Sequence, residues 1–62
     1  MTARDKAIKE LNNAGYQFES HGAKHDKFYN PELHRTITLK RHDVTENTLR
    51  YIKKEIEHNR RG

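Results

Sequence analysis

The chain contains no cysteine and no tryptophan, and only one proline, three glycines and one methionine among its 62 residues. Without cysteine, neither a disulfide framework nor a thiolate zinc site holds so short a chain together, and the fold must rest on packing or on a partner. Apolar residues are also scarce, at 31% against 35% charged. No stretch approaches the ~20 apolar residues of a membrane span, and the opening "MTARDKAIKE" lacks the apolar segment of a secretory signal. The expectation is a soluble, cytoplasmic protein with no membrane partner. A chain of this size buries only about 60% of the surface its unfolded form exposes. That leaves room for one domain over residues 1–62 and for no large buried cofactor. There is also no HExxH pair, no glycine-rich phosphate loop and no GxSxG elbow.

What the chain does have is positive charge. Thirteen Lys and Arg face nine Asp and Glu, for a formal charge of +4. The summed field of such a domain attracts polyanions, which makes RNA or DNA the leading class of partner.

Periodicity orders the chain. Ala7, Ile8, Leu11 and Ala14 recur at helical spacing between Thr2 and Ala14, with Arg4, Lys6, Lys9 and Glu10 on the other side. Thr2 and Asp5 are placed for a capping box, and Gly15 for a left-handed end. "GYQFES" then alternates with a period of two, Tyr16 and Phe18 against Gln17 and Glu19, as a half-buried strand does. A turn at "SHGA" leads into "KHDKFY", and a turn around Pro31 leads into "HRTITLK". The period returns to helical in "RHDVTENTLRYIKKEIE", where Leu49, Ile52 and Ile56 form one stripe, Thr45 is an N-cap and Val44 staples onto Leu49. "HNRRG" reads as a frayed basic tail. The result is an α+β chain in the order α-β-β-β-α, an antiparallel meander with both helices on one face and the other face open. Ile8, Leu11, Phe18, Phe28, Ile37, Leu39, Leu49, Ile52 and Ile56 are its expected core.

Alternation also predicts what the open face carries. With Phe28 pointing inward, Asp26 shares its side, while His25, Lys27 and Tyr29 point the other way, joined by Thr36, Thr38 and Lys40 of the third strand. An imidazole, a phenol, ammonium groups and hydroxyls suit a phosphate backbone and its ribose hydroxyl. The same alternation describes an ordinary solvated sheet face, so spacing alone leaves both readings open. Tyr16, Phe18 and Phe28 are core aromatics, and Tyr29 is the one aromatic available for stacking on a base. His21 and His25, or His34 and His42, are the pairs closest to a metal-ligand pattern. Gly22 separates the first pair and no cysteine supports either, so no metal site is expected. His21 and His34 are read as solvated turn residues.

Taken together, "LNNAGYQF", "HGAKHDKFYNPELHRTITLKRH" and "VTENTLRYIKKEI" resemble the HicA family of toxins from type II toxin–antitoxin modules, over about Lys9 to Glu57. The family pattern is a helix ending in L…AG(Y/F), a G-x-x-H segment opening the second strand, a third strand ending in P-R-H, and a closing helix with TLR near its start. Here G-x-x-H is "GAKH", Gly22 to His25, and the strand end is "KRH", with Lys40 in place of the proline. The resemblance implies a double-stranded-RNA-binding-like fold and an mRNA interferase that needs no cofactor. It also implies a HicB-type antitoxin covering the active face of a toxin that is monomeric on its own. The histidine of G-x-x-H is the family's catalytic residue and maps onto His25.

The chemistry such a residue would perform follows from its type. Free imidazole titrates near pH ~6.5 and so exchanges protons at cellular pH. A histidine at position 25 is therefore suited to take the proton of a ribose 2′-hydroxyl, whose oxygen then attacks the adjacent phosphorus without a metal. Lys27 and Lys40 are placed to balance the growing charge, and Tyr29 or His42 to protonate the leaving oxygen. Lys24, Thr38 and Arg41 complete the expected RNA contacts. Two rivals remain open on the residues alone: a non-catalytic RNA-binding module, and a protein-interaction module whose basic face docks an acidic partner.

Overall fold

The computed structural model describes residues 1–61, which run α1 (Ala3–Asn13), β1 (Gln17–His21), β2 (His25–Asn30), β3 (Arg35–Lys40) and α2 (Glu46–Arg61). The strands form one antiparallel sheet in the order β1-β2-β3. This is the expected α-β-β-β-α order.

Local chemistry sets the helix ends. Thr2 Oγ1 accepts from the Asp5 backbone N–H at 3.1 Å, and the Asp5 carboxylate accepts from the Thr2 N–H at 3.3 Å, which completes the capping box. Gly15 follows with φ +94°, a conformation that costs a side-chain-bearing residue far more. Thr45 Oγ1 accepts from the Thr48 N–H at 3.3 Å to cap α2. Val44 packs partly buried against the core beside it.

The core lies between the helices and one face of the sheet. Ala7 and Leu11 of α1 meet Leu49, Ile52 and Ile56 of α2 over Phe28, Ile37 and Leu39 of the sheet, with Tyr16 entering from the turn after α1. Ile8 packs against this cluster but is only partly buried.

Three expectations are corrected. Phe18 is not a core residue: it is 50% exposed. It lies opposite Phe28 and therefore on the core side of the sheet, but β1 is the edge strand farthest from β3, where α2 packs. Phe18 covers the edge of Phe28, with ring centroids 5.9 Å apart at 78°, and among the described rings is itself met only by the exposed His21 imidazole, 4.7 Å between centroids at 56°. The second correction concerns the C-terminal segment, which is not frayed, since α2 continues through Arg61; Gly62 lies outside the described residues. Asn59 anchors this last turn by donating its amide to the buried Tyr16 hydroxyl at 3.0 Å. A buried phenol needs such a partner.

His21 supplies the third correction. It closes strand β1 rather than sitting in a turn. The register slips between Phe18 and Ser20, so that Ser20 pairs with Lys27 and His21 with Asp26. A bulge of one residue reverses the faces that follow it. Unbroken alternation would have sent His21 to the open face; the bulge turns it toward Asp26.

Candidate functional site

The open face is organised by register. On β2 and β3, His25 lies opposite Lys40, Lys27 opposite Thr38 and Tyr29 opposite Thr36. Directly opposed side chains in an antiparallel pair have Cβ atoms about 4.5–5.5 Å apart. The imidazole of His25 and the ammonium of Lys40 thus start from neighbouring positions. His25, Lys27, Thr36, Thr38 and Lys40 are all exposed, and Tyr29 is half-buried. Ser20, brought across from Lys27 by the bulge, adds a hydroxyl from β1.

The turn before β2 explains why a glycine stands three residues ahead of His25. The Gly22 N–H donates to the His25 carbonyl at 2.7 Å. A Cβ at position 22 would lie 2.6 Å from that same carbonyl oxygen, closer than real contacts allow. Any side chain there would displace the backbone of His25. The G-x-x-H spacing is thus a device for a tight turn that fixes the first residue of β2.

The core side of the same strand holds a charged cluster. Asp26 is 2% exposed. Its carboxylate accepts from Arg4 at 2.7 Å and is hydrogen-bonded to His21 Nδ1 at 2.8 Å, with Arg41 Nε at 3.6 Å. Arg4 also donates to the Lys40 carbonyl at 2.8 Å. Arg41 donates its guanidinium to the Gly22 carbonyl at 3.3 Å and its backbone N–H to the Lys24 carbonyl at 3.1 Å. One buried carboxylate therefore joins α1, β1 and the segment after β3 directly behind His25. Its position on the side of Phe28 was legible in the alternation, and a charged residue on an apolar face signals an ion pair. That its partners are Arg4, His21 and Arg41 was not legible.

The His21 hydrogen bond, then the Arg4 hydrogen bond, holds the Asp26 carboxyl below its ordinary value of 3.8, against the opposing effect of burial. A depressed carboxylate adds stability that is complete above its unfolded-state value and is lost as pH falls through the folded one. In acid titrations followed by circular dichroism, the wild type should lose stability steeply below pH 3.8. Asp26→Asn, which has no charge to lose, should start less stable at neutral pH and show a flatter response there. Equal slopes would remove Asp26 from the account.

Two depressions meet at His25. One, of about 410 Å³, lies between the Gly22–Lys24 turn and Lys27. The other, of about 420 Å³, lies between Lys40 of the sheet and Asn47 and Tyr51 of α2. His25 and Thr38 line both. Of the other sequence-predicted residues, Lys24 is exposed in the turn and lines the first depression. Tyr29 hydrogen-bonds His34 Nδ1 at 3.2 Å, so His34, still a turn residue, is tied to the open face. Arg41 directs its guanidinium at the turn and at Asp26, and His42 is exposed just beyond β3. Among the described residues, no three His, Cys, Asp or Glu side chains come together as a metal cluster. No helix there is long and apolar enough to cross a membrane. Asn47 and Tyr51 were not anticipated, because only the docking of α2 beside β3 brings them to the sheet.

These features define a small α+β protein of α-β-β-β-α order, with an open three-stranded antiparallel sheet and an exposed histidine at the start of its middle strand. Residues 4–57 match the family described as HicA toxin of bacterial toxin–antitoxin, and the chain belongs to that family. It is thereby a toxin of a toxin–antitoxin system. Comparison with curated proteins and with solved structures returned no match.

Proposed function

We propose that this toxin is an endoribonuclease acting on mRNA in the cytoplasm, with His25 as its catalytic base, and that a HicB-type antitoxin silences it by covering the open face. The observation that carries this reading is the position of His25: exposed, fixed by the Gly22 turn, opposite Lys40, and at the junction of two depressions. A strand of RNA laid across that junction presents its phosphate to Lys27 and Lys40.

In the proposed reaction His25 takes the proton of the 2′-hydroxyl, and the 2′-oxygen attacks the adjacent phosphorus. The bond from phosphorus to the 5′-oxygen breaks, and a proton reaches the leaving oxygen. His42, just past the end of β3 beside Lys40, is the candidate donor; Tyr29, four residues along β2 and so about 13 Å from His25, is too far to serve the same phosphate. The products are a 2′,3′-cyclic phosphate and a 5′-hydroxyl, and charge on the phosphorane is balanced by the two lysines. No metal takes part. The decisive test is cleavage of single-stranded RNA by the purified chain in EDTA, with cyclic-phosphate ends identified on the products. Loss of activity on chelation would overturn the route.

Binding should also weaken with salt. If about three to five phosphates are neutralised, log K against log[salt] should fall by about 0.7 per phosphate on a single strand. Lys27→Ala and Lys40→Ala should each flatten that slope by about 0.7. An affinity independent of salt would favour the protein-interaction reading instead.

A further inference from the structure

The mechanism just proposed uses only the His25 and Lys40 rim of the depression between the sheet and α2, and the chemistry of its α2 wall differs from that of its neighbour. The Gly22–Lys24 side carries ammonium groups, as a phosphate track does. The α2 side combines Lys40 with an amide, Asn47, and an aromatic ring, Tyr51. Tyr51 is 59% exposed, and the core beneath it is completed by its neighbour Ile52. A tyrosine so exposed contributes little to packing. Its hydroxyl donates to Glu55 at 2.9 Å one turn along the helix, which orients the ring. The Glu55 hydrogen bond also raises the phenol above its ordinary value of 10. Asn47 is exposed, and its amide is not used in the hydrogen bonds that cap α2, which run between Thr45 and Thr48.

We infer that this depression is a nucleobase subsite, in which Tyr51 stacks on the base next to the phosphate held at His25 and Asn47 hydrogen-bonds the edge of that base. The inference rests on the ribonuclease reading, since it is a phosphate at His25 that brings the neighbouring base into reach. Unstacked bases of single-stranded RNA are held in this way, by an aromatic face and by hydrogen bonds to their edges. An amide offers both a donor and an acceptor, so it discriminates between bases where a lysine does not. The groove is continuous with the candidate active site through His25, Thr38 and Lys40. It is open, so a base enters from solvent without moving the core. The subsite makes the N-terminal part of α2 a determinant of cleavage preference, whereas the basic turn grips the backbone without regard to sequence.

The experiment has two arms. In the first, the active chain is incubated with single-stranded RNA of randomised sequence and the cut sites are mapped. Wild type should prefer particular bases at one position beside the cut, and Asn47→Ala should relax the preference at that position alone. In the second, a fluorescent oligonucleotide carrying the preferred site is titrated onto the His25→Ala chain, which leaves it intact. Adding Tyr51→Ala should weaken binding by about 5- to 150-fold, the loss of one stacked base, while Tyr51→Phe, which keeps the ring, should recover most of it. Circular dichroism of the variants confirms that they fold. If wild type cuts RNA while Tyr51→Ala and Asn47→Ala leave affinity and cut pattern unchanged, the subsite is absent and the ribonuclease reading stands. If wild type neither binds nor cuts RNA, the ribonuclease reading falls and the subsite falls with it.

Discussion

Replacing His25 with alanine should remove RNA cleavage and growth inhibition while leaving the fold and RNA binding in place. A general base contributes about 10²- to 10⁴-fold to rate, so the variant should lose activity by a factor in that range in an assay on purified protein. Its stability should be unchanged, because the side chain is exposed on the open face and exposed substitutions rarely cost much. The comparison with the other histidines makes the experiment specific. His34→Ala should retain cleavage. His21→Ala should also remain competent to cleave, but it removes a partner of Asp26, so its cost should be read in stability. Retained binding without cleavage in His25→Ala separates a catalytic role from simple phosphate contact. Full cleavage by that variant would sink the mechanism.

The largest effect on stability should come from Leu39→Ala. Leu39 is completely buried between sheet and helices, and truncating a buried leucine costs about 2–5 kcal/mol through lost transfer energy and the cavity left behind. A domain of this length has only about 3–9 kcal/mol in total. The variant should therefore melt at least about 8 °C lower or fail to fold. Phe18→Ala provides the internal contrast. Although its side chain is larger, it is half exposed on the edge strand, so it should cost less than Leu39→Ala. A larger loss at Phe18 would mean that β1 is covered in a way the sheet does not show.

The element order was determined by the sequence alone, because hydrophobic period and capping are local. The capping box at Thr2 and Asp5, the left-handed Gly15 and the Thr45 cap act within a few residues of themselves, and all three stand where the sequence places them. The same is true of the inner and outer faces of β2 and β3, whose unbroken alternation sends Phe28, Ile37 and Leu39 inward and His25, Lys27 and Lys40 outward. Tertiary structure decided what depends on distant parts of the chain. The bulge in β1, which reverses Ser20 and His21, is settled by pairing with β2 and leaves no mark on local periodicity. Phe18 is exposed because cover for an edge strand comes only from how the helices dock. Asp26 is buried at little risk because Arg4, 22 residues away, and Arg41 converge on it. The groove beside His25 exists because α2 packs on β3 and carries Asn47 and Tyr51 to the sheet. A residue's side of a strand is set by its neighbours in sequence, whereas its partners, its cover and the cavity it lines are set by residues that only folding brings near.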